Sequence, residues 1–169
     1  AAVEADGGAD LLVSHQVPLA APLVAAKTGI KWVSCVLAPI AFCSAYEVEP
    51  DASANCVVVA GRRAETTTMA ACLVLASDRA DINKTVRKHL DVRKISFAPM
   101  TEAVTRTGME YGGITPVGLP AAWPVYVDAR VLEREHVVIG AGVRAAKLRV
   151  PGPLMAELPG VEIVEGLAR

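Results

Sequence analysis

The stretch richest in chemical possibility is Met109-Glu110-Tyr111-Gly112-Gly113-Ile114-Thr115-Pro116-Val117-Gly118-Leu119-Pro120. Adjacent glycines can take positive φ and let a ligand approach the main chain closely. Pro116 stiffens the far side. A loop of this kind can aim N–H groups at an oxygen, as stabilisation of a tetrahedral oxyanion requires. The same composition also suits an ordinary turn between strands.

A second feature is the basic window Arg79 to Lys94. It holds Arg79, Lys84, Arg87, Lys88, Arg93 and Lys94 against Asp81 and Asp91. Such a window is either a solvated helix face or a surface that follows phosphates. The whole chain of 169 residues carries 17 basic and 18 acidic side chains, a net charge of -1. That excludes a strongly basic nucleic-acid binder but not a local basic face. Residues 1–50 are acidic; the basic excess lies beyond them.

The four cysteines, Cys35, Cys43, Cys56 and Cys72, form no CxxC pair, and no His stands at metal-ligand spacing from them. A secreted disulfide scaffold of this size would be denser in Cys. Reduced, mostly buried thiols in a cytoplasmic protein, with no metal and no cofactor, are expected. The apolar stretch Trp32 to Cys43 contains Pro39 and is too short to span a bilayer, so no membrane is expected as a partner. The start, AAVEADGGAD, lacks the basic flank of a signal peptide and lacks Met, which suggests a processed or truncated N-terminus.

Elements that would position these residues follow from periodicity and punctuation. With 53% hydrophobic but only 4% aromatic residues, Ala and Val must supply most of the core. Leu11–Ser14 and Lys31–Leu37 read as strands around a small-residue helix, Pro22–Lys27. Cys56–Ala60 and Ala70–Ala76 read as a hairpin-like pair joined across Gly61–Thr68. Ile82, Val86 and Leu90 recur every four residues, an amphipathic helix capped near Asp81. Ile95–Ala98 is a strand; Thr101 opens a short helix that Gly108 closes. Val125–Asp128, His136–Ile139, Lys147–Val150 and Val161–Val164 are further strands, with a short helix over Pro153–Leu158. Many strands, short turns and few long helices predict an α+β fold with a mixed, largely antiparallel sheet or barrel.

Several segments in order resemble the YbaK/EbsC family, the prolyl-tRNA-synthetase-associated aminoacyl-tRNA editing domain. They are SANCVVVAG (Ser53–Gly61), ADINKTVRKHL (Ala80–Leu90) and KISFAPMTEAVTRTGMEYGGITPVGLP (Lys94–Pro120). PVYVDARV (Pro124–Val131), VVIGAGVRAAKLRVPG (Val137–Gly152) and a closing VEIVEGLA follow. The resemblance covers about 42–169 and implies a compact fold with a central, largely antiparallel sheet or barrel and surrounding helices. It also implies hydrolysis of the ester in a mischarged aminoacyl-tRNA, of tRNA(Pro) type. The G-x-x-x-P element of the family falls on Gly112–Pro116, so Gly112, Gly113 and Pro116 would cradle the aminoacyl ester and terminal ribose, and Thr115, at a small hydroxyl position, would be catalytic. Asp128 in PVYVD and the turn glycines Gly140 and Gly142 also match, as further substrate-binding positions. Asp128 reads equally as a strand-end cap and the glycines as a hairpin turn. The implied partner is the aminoacylated 3′ end of tRNA, with Lys84, Arg87 and Lys88 touching phosphates.

One departure stands out. Many members of that family carry a Lys just before the VVV-like run, where this chain has Asn55. Asn offers hydrogen bonds but no charge. Either Asn55 serves as a polar catalytic anchor, another Lys such as Lys147 reaches in, or activity is weak or absent. Cys56, on so apolar a strand, suits packing better than nucleophilic attack.

Residues about 9–46 look different. DLLVSHQVPLAAPLV running into AAKTGIKWVSCVLAPIAF resembles a fragment of a nucleotide-sugar glycosyltransferase without its donor-binding half. The join falls near Phe42–Tyr46, dividing the chain into a structural appendage at 1–46 and a deacylase-like domain at 47–169. His15, without partners, suits a structural role.

Two rival functions are open. Gly140-x-Gly142-x-x-Ala145 after a strand, with Glu162 downstream, loosely fits a dinucleotide-binding turn, though Pro151-Gly152-Pro153 would break the helix that should follow. A non-catalytic tRNA- or protein-binding member of the editing fold is the other, motivated by Asn55.

Overall fold

A computed structural model of the chain describes residues 52–169 and, ahead of them, two strands, Leu11–His15 (β1) and Lys31–Val36 (β2). The helix expected at Pro22–Lys27 and the join at Phe42–Tyr46 lie outside the described residues. The centre of the molecule is a long hairpin. Ala54–Arg63 (β3) pairs antiparallel with Thr66–Leu75 (β4), in register from Ala54–Leu75 to Arg63–Thr66. The connection is Ala64-Glu65, with Ala64 at φ 51°, and not the longer Gly61–Thr68 loop that the sequence predicts. The apolar runs mark only the buried part of each strand. Arg62, Arg63 and the β-branched Thr66 to Thr68 continue it into solvent, where branched side chains still suit a pleated surface.

Five strands form one sheet in the order β5–β3–β4–β6–β9. The outer members are Lys94–Phe97 (β5), Val125–Asp128 (β6) and Val161–Val164 (β9). β3 is antiparallel to β4 and β5; β6 is parallel to β4 and β9. A second sheet runs β1–β2–β8–β7, where His136–Gly140 (β7) and Lys147–Pro151 (β8) make an antiparallel hairpin. β8 is antiparallel to β2, and β2 is parallel to β1. A parallel bridge from Ser53 to Val138 ties the sheets together at the start of β3. The fold is thus α+β with a mixed sheet, as expected, and antiparallel pairings outnumber parallel ones among the described strands.

β4 is buried on both faces from Met69 to Leu75, which is why it reads as a continuous apolar run. On one face, Val57, Val59, Cys72 and Val74 pack against Ile82 and Val86. These two come from helix α1, a π-helical turn over Ile82–Val86 continued by Arg87–His89. Asp81 caps it, as expected, by accepting from the Lys84 N–H at 3.3 Å. On the other face, Val58 and Ala60 meet Ala103 of helix α2, Met100–Thr107. Gly108, at φ 68°, closes α2 in the left-handed conformation that glycine tolerates best. Farther along that face, Ala71, Leu73, Val125 and Val127 pack on Val137, Ile139 and Val150 of the β7–β8 hairpin. A short helix α3, Ala129–Leu132, follows β6, and Gly152–Glu157 is a 3₁₀ helix where the sequence predicts one over Pro153–Leu158.

Candidate active site

Alternation along β3 decides what its edge presents. The Ser53 carbonyl accepts from Ala76, on the β4 side, whereas the Val58 carbonyl accepts from Ala98, on the opposite edge. Successive residues of a strand turn their peptide groups to alternate edges, so the Cys56 N–H and C=O face the same edge as those of Val58. β7 reaches this edge at Ser53 and β5 begins at Val59. No described strand pairs with β3 between them.

A cavity of about 480 Å³ opens along this gap, within the range of small-ligand sites. Asn55, Val57 and Phe97 line it from the α1 face. Ala98, Met100, Ala103, Tyr111, Gly112, Ile114, Gly140 and Lys147 line it from the α2 side. Its mouth is apolar and open to solvent: Phe97 is 60%, Met100 53% and Tyr111 63% exposed. Lys147, at the start of β8, is the one cationic side chain among the described lining residues. Its Nζ donates to the Gly112 carbonyl at 3.1 Å. Asn55 is exposed. Burial pushes the Cys56 thiol well above its ordinary value, with Cys72 adding to it. Cys56 is half-buried and borders the cavity, and its raised thiol favours packing over a thiolate nucleophile.

The glycine loop is held by a second glycine turn. Gly113 N–H donates to Glu110 O at 2.9 Å, Gly142 N–H to Gly113 O at 2.8 Å, and Glu110 N–H to Gly142 O at 2.8 Å. The Glu110 carboxylate accepts from the Arg144 N–H at 2.7 Å. Gly112 carries the positive φ, 83°; Gly113 is glycine for another reason. A Cβ there would stand 2.7 Å from the Val143 carbonyl oxygen. Gly140 has no room either, because the Gly113 and Ile114 carbonyls lie against it.

A model of the aminoacyl-tRNA editing domain matches residues 37–158. The chain belongs to this family. The editing domain also has the fold of three solved structures. The hypothetical protein APE2540 aligns with TM-score 0.69 and 20% identity over 88% of this chain and 98% of its own. A candidate trans-editing enzyme for prolyl-tRNA synthetase aligns with TM-score 0.66 and 22% identity, covering 79% and 85%. An epitope-grafting scaffold from computational design aligns with TM-score 0.65 and 20% identity, covering 79% and 84%.

Within the editing domain, the residues singled out from sequence separate into groups. Asn55, Gly112 and Gly140 line the cleft together. Gly113 and Gly142 form the clasp behind it. Thr115 and Pro116 are buried outside the lining, and the Thr115 hydroxyl has no hydrogen-bond partner among the described residues. Asp128 stands elsewhere, as the cap of α3. Its carboxylate accepts from Arg130 N–H and Nε, both at 3.0 Å, and from Ala168 N–H at 2.9 Å. Burial alone would push this carboxyl up. The Arg130 and Ala168 hydrogen bonds and the Arg130 charge outweigh burial and hold it below the usual carboxylate range.

Lys84, Arg87 and Lys88 are exposed on α1. The dinucleotide reading fails, because Gly140 to Ala145 joins two antiparallel strands and no helix follows. Glu162 instead pairs with His89 at 2.8 Å. Sequence reasoning missed Phe97, Met100 and Tyr111, and treated Lys147 only as a substitute for a missing lysine. Phe97 could have been suspected from its place at the end of a short exposed strand in an aromatic-poor chain.

No helix among the described residues is long and apolar enough to cross a membrane. No group of potential metal ligands occurs among them either.

Proposed function

We propose that this chain is an aminoacyl-tRNA deacylase, which hydrolyses the ester of a mischarged tRNA and releases free amino acid and intact tRNA. The observation that carries the reading is Lys147, a cation fixed on the Gly112 carbonyl inside a cleft bounded by an open strand edge. The aminoacylated 3′ end would enter past Phe97 and Tyr111, whose exposed rings offer faces for a base to stack on. Water adds to the ester carbonyl, the oxyanion forms, and the C–O bond to the ribose breaks as the water proton passes to the ribose oxygen. The Lys147 ammonium offsets the oxyanion charge. Asn55 anchors the substrate by hydrogen bonding, with Gly112 and Gly140 letting it approach the main chain. Thr115, Gly113, Pro116 and Gly142 act behind the cleft by positioning the loop, and Asp128 supports the fold.

Substrates of tRNA(Pro) type are proposed because a relative in fold is a candidate trans-editing enzyme for prolyl-tRNA synthetase. A rate below that of lysine-bearing relatives is proposed from Asn55. Residues 47–169 carry the activity in the cytoplasm. The glycosyltransferase-like 1–46 is a structural appendage whose β1 and β2 extend the β8 edge. The described lining holds no carboxylate or imidazole, which favours the non-catalytic tRNA-binding reading as the second choice. Single-turnover deacylation of Ala- and Cys-tRNA(Pro) separates the two: ester loss above the buffer rate supports the enzyme, and binding without ester loss overturns it.

A further inference from the structure

A second cavity lies along the same face of β3 as Ala60, between the hairpin end, β5 and α2. Its floor is a row across three strands. Thr67 of β4 faces Arg62 of β3, which faces Lys94 of β5. Arg62 and Lys94 are direct cross-strand partners of like charge, an arrangement that destabilises a sheet unless something answers it. No carboxylate among the described residues pairs with either. The nearby acids are engaged: Asp91 pairs with Arg63, and Glu102, which lines the cavity, pairs with Arg106 at 2.9 Å. Arg106 lines the cavity as well, leaving a net excess of two positive charges around one hollow.

We infer that this row is an anion site that holds a backbone phosphate of the bound tRNA. The inference rests on the deacylase reading for the direction of the RNA. From Cys56 at the open edge to Arg62 is six residues of one strand, about 20 Å. β5 and α2 border both cavities: Phe97, Ala98 and Met100 line the first, and Lys94, Ser96 and Arg106 the second. A polynucleotide whose 3′ end sits in the cleft can therefore continue over the β5–α2 connection and place a phosphate between Arg62 and Lys94. The two cations suit phosphate, Arg as a planar fork and Lys as a point charge. This row lies on the sheet face opposite α1, so it is independent of Lys84, Arg87 and Lys88.

The test uses the full chain and the double variant Arg62→Gln/Lys94→Gln. Binding of uncharged tRNA is followed by fluorescence anisotropy between about 50 and 200 mM salt. Hydrolysis of an aminoacyl-adenosine ester, which lacks the upstream phosphates, is measured alongside. The expected result is an affinity lowered about tenfold or more. The slope of log K against log salt falls by about 0.7, the value for one phosphate on a single strand. The melting temperature is unchanged or higher, because the like-charge opposition is gone, and the adenosine ester is hydrolysed as before. Unaltered tRNA affinity and slope overturn the anion site. So does stabilisation of the parent chain by inorganic phosphate with no change in tRNA binding, which would assign the row to a free anion. If the parent chain hydrolyses neither ester, the deacylase reading fails, and the binding measurement still judges the row.

Discussion

The Lys147 ammonium and the Gly112 carbonyl meet at 3.1 Å, so β8 and the glycine loop share a cation at the cleft. Lys147→Met is expected to lower the single-turnover deacylation rate about 100- to 1000-fold, the loss typical of one oxyanion donor. Asn55 lines the same cleft. Asn55→Lys is expected to raise the rate of the parent chain and to restore part of the loss in the Lys147→Met background. A parent that is already fast and is slowed by Asn55→Lys would make Asn55 a working adaptation.

The clasp between the two glycine turns makes a separate prediction. Gly113→Val should cost about 1–3 kcal/mol, because its Cβ meets Val143 main chain that cannot step aside cheaply. Deacylation should be lost with it, since Gly112 moves with its neighbour. Gly108→Ala meets no atom within 4 Å and pays only for its positive φ, so its activity should persist. Thermal unfolding and deacylation of both variants check this.

Asp128 sets an acid limb of stability. Its folded-state pKa is depressed. Its contribution is therefore full above the unfolded value, about 3.9, and is lost as pH falls through the lower folded value. Asp128→Asn is expected to destabilise the neutral protein by about 2–4 kcal/mol through the lost cap and charged hydrogen bonds. The difference from the parent should shrink as pH drops below about 4. Denaturant titrations at pH 3 to 7 measure it; a difference independent of pH contradicts this role.

Lys84, Arg87 and Lys88 project from α1, and Arg87 and Lys88 lie in its last turn. Changing all three to Ala should weaken tRNA binding and lower its salt slope by about 1 or more. Unchanged affinity and slope would leave the helix a solvated face.

Strands with an unbroken apolar stretch and the α2 stop at Gly108 were legible in the sequence, since burial and a left-handed cap leave direct marks on residue type. The hairpin end was not, because Arg62, Arg63, Thr66 and Thr67 are exposed strand that composition cannot tell from a loop. α3 was missed: its four residues are too few to show a period, and only Asp128 marked it. In the cleft, Asn55 and the glycine loop were legible through residue type. The meeting of Gly113 with Gly142, and of Gly112 with Lys147, joins residues about thirty positions apart, which no local pattern reports. Residue type leaves positive φ open to either glycine of the pair; Gly112 alone uses it, and Gly113 is fixed by its contact with the Val143 main chain.

β4 is a seam between two kinds of pairing. To one side it meets β3 through a two-residue turn; to the other it meets β6 and then β9, strands from far along the chain. Local pairs close quickly and distant ones slowly. The hairpin carrying Asn55 is therefore expected to form early in folding, while the β7–β8 hairpin carrying Gly140 and Lys147, local in itself, can dock against it only after the long crossovers have closed. Unfolding run in reverse strips the cleft first. Amide hydrogen exchange is expected to show this as faster turnover in β7 and β8 than in the β3–β4 ladder, so the protein can lose this wall of the cleft while its central hairpin still stands.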